Sequence, residues 1–492
     1  MLRKIRISLA VVFYTLITLL FLDFTGTIHT YFGWMADIQF VPALLALNVG
    51  VVVALLVLTF LFGRVYCSVI CPLGVMQDVV AFFGKKSKKN RYSFSPELKW
   101  LRYSVLVIFL VTVLAPGVGF IAHLVAPYSA YGRIATNLFA PVYQFGNNIL
   151  AYIAERAGSY AFYTVDIWVK SLTTFMIAVV TLGLIAVLAW RGGRTWCNTV
   201  CPVGTILGFF AKYSLYKPVI DTTKCNSCGL CGRNCKASCI NSKEHAIDYS
   251  RCVACFDCID KCNKGAISYK LRSVAQPTED KGVDKSKRAF LTTSALLVAG
   301  ATVNAQEKKV DGGLAAIQDK QIPVRTTPLK PAGAQSLKHF TTHCTACQLC
   351  VAECPNHVLR PSSELQNLMQ PEMSFERGYC RPECTNCSQV CPAGAIKPVT
   401  TAEKSSVSIG YAVWVKENCL VSTEGVRCDA CYRNCPTGAI QLVEREDIPD
   451  TSLKVPVVNP ERCIGCGKCE NLCPARPLSG IYVEGREVHK EI

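Results

Sequence analysis

The chain has 492 residues, 51% of them hydrophobic and only 18% charged, with Lys+Arg 52 against Asp+Glu 35. That balance excludes a disordered chain, and the length exceeds what one core usually supports, so several units are expected. The 29 cysteines fall in small groups along the chain, which excludes a disulfide-stapled miniprotein, and the net charge of +17 gathers beside apolar runs, which points to membrane topology rather than nucleic acid.

A bilayer core about 30 Å thick needs roughly 20 apolar residues. Residues 7–24, 41–62, 103–125 and 172–190 meet that length, the third interrupted by Pro116 and Gly117. A membrane helix tolerates such a break near its end. The expected fold is therefore an α-helical membrane domain of four spans over residues 1–220. Arg3, Lys4 and Arg6 precede the first span, seven Lys and Arg from Lys85 to Arg102 separate the second from the third, and Arg191 and Arg194 follow the fourth. The connection from His29 to Phe40 has none, so the N-terminus and both basic connections are expected in the cytoplasm. A shorter apolar stretch in residues 285–306 reads as a short fifth anchor or a signal-peptide core. Its start, Ser286-Lys287-Arg288-Ala289-Phe290-Leu291, resembles a twin-arginine export signal with Lys in place of the first Arg, and Val303 and Ala305 match a cleavage site. Residues 307–339 read as a linker, and residues 340–492 are expected on the far side of the membrane.

The cysteines form three populations. Cys67, Cys71, Cys197 and Cys201 stand in pairs at the cytoplasmic exits of the second and fourth spans. Cys225, Cys228, Cys231, Cys235, Cys239, Cys252, Cys255, Cys258 and Cys262 fill residues 221–272. Residues 340–492 hold sixteen: Cys344, Cys347, Cys350, Cys354; Cys380, Cys384, Cys387, Cys391; Cys419, Cys428, Cys431, Cys435; and Cys463, Cys466, Cys469, Cys473. The second and third populations carry the bacterial ferredoxin run C-x2-C-x2-C-x3-C, in which three close thiolates wrap one cubane and the fourth serves its neighbour. Two runs vary its start: Cys380 stands four before Cys384, and Cys419 nine before Cys428. Zinc sites use two pairs a dozen or more residues apart, and haem c needs C-x-x-C-H, which is absent. Six [4Fe-4S] clusters are therefore expected, in two α+β ferredoxin-like domains. Lys264-Gly265-Ala266-Ile267, Ala393-Gly394-Ala395-Ile396 and Thr437-Gly438-Ala439-Ile440 repeat a turn and strand start, a mark of duplication. In the first domain Cys225, Cys228 and Cys231 are expected to share a cluster with Cys262, and Cys252, Cys255 and Cys258 with Cys235. Cys239 is left over, and because Lys236 replaces the usual Pro it is the alternative fourth ligand.

The first population sits in an internal repeat, Arg64-Val65-Tyr66-Cys67-Ser68-Val69-Ile70-Cys71-Pro72-Leu73-Gly74 and Arg194-Thr195-Trp196-Cys197-Asn198-Thr199-Val200-Cys201-Pro202-Val203-Gly204. Two hairpins related by pseudo-symmetry would gather four thiolates, with Arg64 and Arg194 offsetting their charge. The functional reading is a seventh, iron-sulfur site; the alternatives are packing turns that bind nothing or bind copper transiently.

These motifs carry a resemblance. Residues 1 to about 270 resemble the NapH type of membrane quinol dehydrogenase component associated with periplasmic nitrate reductase, and residues from about 285 resemble the NapG type of exported four-cluster ferredoxin. NosR and CcoG types share the C-x3-C-P feature. The resemblance implies a fusion of the two components in a bacterial inner membrane, with menaquinol or ubiquinol as substrate. Analogy with other four-cluster subunits implies that the first exported run pairs with the fourth and the second with the third.

No G-x-G-x-x-G opening a βαβ unit and no P-loop occurs, which leaves electron transfer. Asp23, His29 and His123, near the external ends of the first and third spans, are the candidate quinol pocket, since histidine accepts a proton near neutral pH. Electrons would pass to periplasmic cytochrome or reductase subunits. The rivals are relay from a cytoplasmic ferredoxin or flavoprotein, and a CcoG-like role in metal handling, which sixteen exported cysteines argue against.

Overall fold

The computed structural model describes residues 1–87, 92–114, 119–271, 318–444 and 453–492. Helix α1 (Leu2–Leu22) opens on basic residues and then runs apolar. Three short pieces, α2 (Thr27–Phe32), α3 (Trp34–Asp37) and α4 (Phe40–Leu45), lead into α5 (Val49–Phe62). Next come α6 (Val65–Val69), which carries Cys67, and α7 (Pro72–Ser87), which starts at the proline after Cys71. Helices α8 (Lys99–Leu114), α9 (Gly119–Val125) and α10 (Pro127–Ile134) follow, then a π-helical turn over Ala135–Phe139 and α11 (Ala140–Arg156). The second repeat is α12 (Leu172–Gly192), α13 (Thr195–Thr199) with Cys197, and α14 (Pro202–Ala211).

The expectation of four spans plus a short fifth anchor fails on helix continuity. Among the described residues only α1 and α12, each of 21 residues, are long and apolar enough to cross a bilayer. The stretch 41–62 is split: α4 ends at Leu45, Leu47 takes a φ of 54°, and Asn48 caps α5 by accepting the Val51 N–H at 3.3 Å. What remains, the 14 residues of α5, is about 21 Å long. Helix α8 has 16 residues, about 24 Å, and begins with Lys99 and Arg102. The fifth stretch and the export-like signal lie outside the described residues. A hydropathy window adds up apolar side chains whether or not the helix continues through them.

The two long helices run between two ferredoxin units. At the start of α1, Arg3 pairs with Asp257 (2.8 Å) and Asp260 (3.1 Å) of the first unit, whereas just past its end Gly26 lies against Glu353 of the second. Before α12, Lys170 Nζ donates to the Val351 carbonyl (3.0 Å), and after it the Arg194 N–H donates to the Lys236 carbonyl (2.7 Å). Between the long helices lies α10, fully buried, with a π-turn buried as far as Asn137; the polar residues Tyr128, Arg133 and Asn137 all lie inside. Arg133 donates to the His123 carbonyl (2.8 Å) and Asn137 to Gln348 Oε1 (2.8 Å), while Arg133 Nε, the Tyr128 hydroxyl, Ser129 Oγ and Thr136 Oγ1 stay buried without a partner.

The first unit has β1 (Tyr216–Ile220), β2 (Ile240–Asn241), β3 (Ala246–Ile247) and β4 (Ile267–Leu271), with β1 antiparallel to β4 and β2 to β3. The second has β5 (Leu359–Pro361) with β6 (Pro371–Met373), and then β7 (Val407–Trp414), β8 (Ile440–Glu444), β9 (Lys454–Val458) and β10 (Ile481–Glu491), paired β7 with β10 and β8 with β9. This unit is clamped to the connection before α12. Arg360 and Arg377 stack on Trp168 at 5.2 and 4.6 Å from the ring centre, and His357 meets its edge.

Candidate metal centres and a buried cavity

In all six ferredoxin runs the third cysteine lies on a one-turn helix: Cys231, Cys258, Cys350, Cys387, Cys431 and Cys469. The four runs with two-residue gaps share one backbone. The residues on either side of the second cysteine are both left-handed: Ser227 and Gly229, Ala254 and Phe256, Ala346 and Gln348, Gly465 and Gly467. Such alternation turns N–H groups into a concavity suited to an anionic group. Ala346 N–H, for example, donates to Cys344 Sγ (3.4 Å). Alanine, phenylalanine and glutamine pay of order 1–3 kcal/mol for that conformation, so the loop is held for its shape.

The thiols converge in sets. Cys225, Cys228, Cys231 and Cys262 line one cavity of about 740 Å³. Cys235, Cys239, Cys252, Cys255 and Cys258 line another of about 390 Å³, with Cys235 and Cys239 sulfurs 3.5 Å apart. Both members of that pair are at the cavity, so position alone does not choose between them. In the second unit Cys344, Cys347 and Cys350 stand with Cys391, and Cys380, Cys384 and Cys387 with Cys354, near enough that each thiolate disfavours its neighbours' charge. Cys419, Cys428 and Cys431 line a cavity of about 370 Å³ with Cys473, while Cys463, Cys466 and Cys469 lie beside Cys435. The first run thus pairs with the second and the third with the fourth, which overturns the pairing implied by analogy. A fourth cysteine reaches only the run on which its own one-turn helix packs, and Leu349–Ala352 packs on Asn386–Gln389 as Ala430–Arg433 does on Lys468–Asn471.

Among the described residues no three His, Cys, Asp or Glu side chains close on a point as they would on a single ion. Four thiols around a larger space are the donor set of a cubane, and the residues fit a [4Fe-4S] group. Burial raises the Cys255 and Cys431 pKa to about 12, so loading such a site must expel protons.

Cys67, Cys71, Cys197 and Cys201 are all buried at the junction of the two repeats. The repeats interlock through their arginines. Arg64 Nη2 donates to the Cys197 carbonyl (3.1 Å) and lies 3.9 Å from Cys67 Sγ, while Arg194 Nη1 donates to the Cys67 carbonyl (2.5 Å) and lies 4.0 Å from Cys197 Sγ. Each motif glycine makes room for the exchange: a Cβ at Gly74 would strike the Cys67 carbonyl and stand 2.7 Å from Arg194, and one at Gly204 would strike the Cys197 carbonyl and stand 2.7 Å from Arg64. Burial and the neighbouring thiols push Cys71 and Cys201 upward, and at Cys197 burial outweighs the relief from Arg194 and Arg64. Two residues that the sequence did not single out complete the site. Gln77 donates to Cys197 Sγ (3.2 Å), and Asp78 holds Arg194 (2.7 Å), Arg6 (2.9 Å) and Lys236 (2.9 Å). Burial opposes the Asp78 charge, but Arg194, Lys236 and Arg6 hold its pKa far below the usual range.

The candidate quinol residues separate. Asp23 accepts from the N–H groups of Thr25 (2.9 Å), Gly26 (3.1 Å) and Ile28 (2.7 Å) and from Thr25 Oγ1 (2.7 Å), so its carboxylate is spent on the turn into α2. His29 packs against Gly33 in the same corner. His123 lies elsewhere, in a cavity of about 540 Å³ between α8, α9 and the segment around Cys344, and neither Asp23 nor His29 lines it. Gln370 Nε2 donates to His123 Nε2 (3.2 Å) and to the Thr341 carbonyl (3.1 Å). Gln370 Oε1, on a residue lining this cavity, is buried without a partner, while the Thr345 hydroxyl, also in the wall, turns to the Cys347 sulfur. Gln370 and Thr345 carry no sequence signal; only the fold brings them to His123.

Among known proteins, a family model described as a 4Fe-4S binding domain matches residues 44–90 and 173–220, one match over each C-x3-C-P repeat. Another, a 4Fe-4S dicluster domain, matches 343–395 and 426–476, which separates the runs into the same two pairs as the structure. An uncharacterized protein of Methanocaldococcus jannaschii is 27% identical over 268 residues, 54% of this chain and 86% of that protein. The methylamine utilization ferredoxin-type protein MauM of Methylobacillus flagellatus is 30% identical over 166 residues, 33% of this chain and 70% of its own. The ferredoxin-type protein NapG of Escherichia coli is 34% identical over 177 residues, 33% of this chain and 75% of its own.

Proposed function

The chain belongs to the ferredoxin-type 4Fe-4S proteins that include NapG and MauM, iron-sulfur electron-transfer proteins, and on that footing we propose that it oxidises quinol in a bilayer and passes the electrons outward as a NapH-NapG-like fusion. In this reading α1 and α12 cross the membrane, the N-terminus and first ferredoxin unit are cytoplasmic, and the second unit is periplasmic, serving a cytochrome or reductase. The attachment of the two units to opposite ends of both long helices supports that arrangement. A reporter enzyme fused after Ile492 that is active only in the cytoplasm would refute it.

The observation that carries the quinol reading is the His123 cavity. Its wall is apolar apart from threonines, Gln366, Gln370 and His123, the mixture of apolar lining and a few placed polar groups that small-molecule sites carry. The unpartnered oxygen Gln370 Oε1 suits a ligand bearing a hydroxyl group. Oxidation of one quinol to quinone releases two electrons and two protons; among the described residues His123 is the one titratable side chain in this wall, and one proton passes to its Nε2 as the Gln370 amide turns to offer Oε1 in place of Nε2–H, while the other leaves to water. Bound [4Fe-4S] groups supply one-electron carriers, and the thiol set nearest this wall is that of Cys344, adjacent to Thr345. His123→Ala should abolish reduction of the protein by quinol with iron content unchanged, whereas His29→Ala should leave it. Unchanged quinol reduction in His123→Ala removes the site from this cavity.

Seven clusters, including one at Cys67, Cys71, Cys197 and Cys201, correspond to about 28 irons per chain, and about 24 would leave that centre unfilled. One observation favours a second reading, relay from a cytoplasmic donor: the Cys252 unit sits directly on the four-cysteine junction, with Asn198 donating to the Ala237 carbonyl (3.1 Å) and Arg64 to the Ser250 carbonyl (3.1 Å). Bleaching of the iron-sulfur absorbance by quinol without any soluble donor decides for the first.

A further inference from the structure

A cavity of about 1420 Å³ opens between α1, α7 and the first ferredoxin unit, apart from the thiol sets and from His123. One wall is Ile7 and Val11 of α1 with Val79, Phe82 and Phe83 of α7, all of them exposed, Phe82 by 67%. The Phe82 and Phe83 rings meet edge to face at 5.6 Å. The other end carries Arg3, Arg6, Lys85, Lys236 and Lys261 against two lining carboxylates, Asp78 and Asp257.

Those two carboxylates are already committed. Asp78 pairs with Arg6, Arg194 and Lys236, and Asp257 with Arg3 (2.8 Å) and Lys236 (3.3 Å). Lys85 reaches the Asn234 side-chain oxygen and has no carboxylate at ion-pair distance among the described residues. Arg6, 7% exposed, keeps a buried Nε with no partner. Asp260, just outside the lining, is shared by Arg3 (3.1 Å) and Lys261 (3.9 Å), so three carboxylates face Arg3, Arg6, Lys85, Arg194, Lys236 and Lys261, and positive charge is left over beside an exposed apolar wall, at the end of α1 where the sequence turns from basic to apolar.

We propose that this cavity seats an anionic phospholipid, its headgroup phosphate between Lys85, Lys261 and Arg6 and its acyl chains along the Phe82 wall. The proposal rests on the bilayer reading of α1 and α12. Basic pockets on the cytoplasmic side of membrane helices attract such headgroups. A quinol fits less well, because among the described residues no histidine lines the space and both carboxylates are held by cations.

The test uses the full-length, cluster-bearing protein in nanodiscs of mixed phosphatidylglycerol and phosphatidylcholine, extracted into detergent, with retained lipid counted by mass spectrometry. Phosphatidylglycerol should be retained selectively. The Lys85→Ala/Lys261→Ala double variant should lower its affinity roughly thirtyfold, about 2 kcal/mol at about 1 kcal/mol per basic side chain. Lys338→Ala/Lys397→Ala, in the second ferredoxin unit, should leave it unchanged. Equal retention of the two lipids, or retention indifferent to the Lys85/Lys261 change, overturns the proposal. Displacement of the lipid by excess inorganic phosphate reassigns the pocket to free phosphate and overturns it too. Failure of the protein to enter nanodiscs at all refutes the bilayer reading, and this proposal with it.

Discussion

The four-cysteine junction and the ferredoxin runs hold thiols by opposite means. In the four runs with two-residue gaps the backbone does it: alternating left-handed residues curl eleven residues of chain, Cys344 to Cys354 for example, around a space, and the fourth cysteine is lent to the neighbouring run. At the junction Cys67 and Cys197 lie on short helices and Cys71 and Cys201 at the breaks that follow them, none of them left-handed, and side chains from one repeat hold the carbonyls of the other, Arg64 on Cys197 and Arg194 on Cys67. A run is therefore a local object that tolerates duplication, as the three turn-and-strand repeats show. The junction is non-local, and neither half of it can form alone.

That contrast can be broken. The largest effect is expected at Arg194, fully buried between Asp78 and the Cys67 carbonyl. Arg194→Met leaves Asp78 short of a partner and should destabilise the protein by about 3–5 kcal/mol, with iron lost from the junction but not from the runs, as read by denaturant melts and iron assay. The Asp78 network also sets a pH signature. Because its pKa is depressed, its contribution is fully present above the unfolded-state value of about 3.9 and is lost only as pH falls below it. Asp78→Asn should flatten that acid limb of the stability curve while leaving neutral pH dependence alone.

The local sites should answer to backbone changes instead. Gly467 has a φ of 74° and a Cβ there would strike the Phe375 ring, so Gly467→Ala should cost about 1–3 kcal/mol and empty one set in the second unit, sparing the junction. The smallest effect belongs to Ala254, left-handed at φ 47°: Ala254→Gly relieves strain and adds chain entropy, and the net change should stay within about 1 kcal/mol in thermal melts.

Spacing made the thiol sets of the first unit legible, because within a run it fixes which sulfurs can face one another. It says nothing about which run packs on which, and so the pairing in the second unit had to come from Leu349–Ala352 meeting Asn386–Gln389. Span count was misread for a related reason: Leu47 and Asn48 break a helix without lowering the apolar average, and the buried polar helix at Arg133 and Asn137 has no hydropathy signal. The arginines of the repeat were visible, but their exchange between repeats was not, since only the space left at Gly74 and Gly204 reveals it. His123 stood out as an ionisable residue near an apolar stretch. So did Asp23, whose carboxylate proves to be absorbed by the three N–H groups of a turn.

The grip on Trp168 by Arg360, Arg377 and His357 has a consequence for processing. Together with the Lys170 and Asn137 hydrogen bonds it fastens the second ferredoxin unit to the helices independently of the polypeptide joining residue 271 to residue 318. A protease that severs that joint therefore yields two fragments that travel as one particle through a sizing column, and maturation by cleavage need not set any electron carrier adrift.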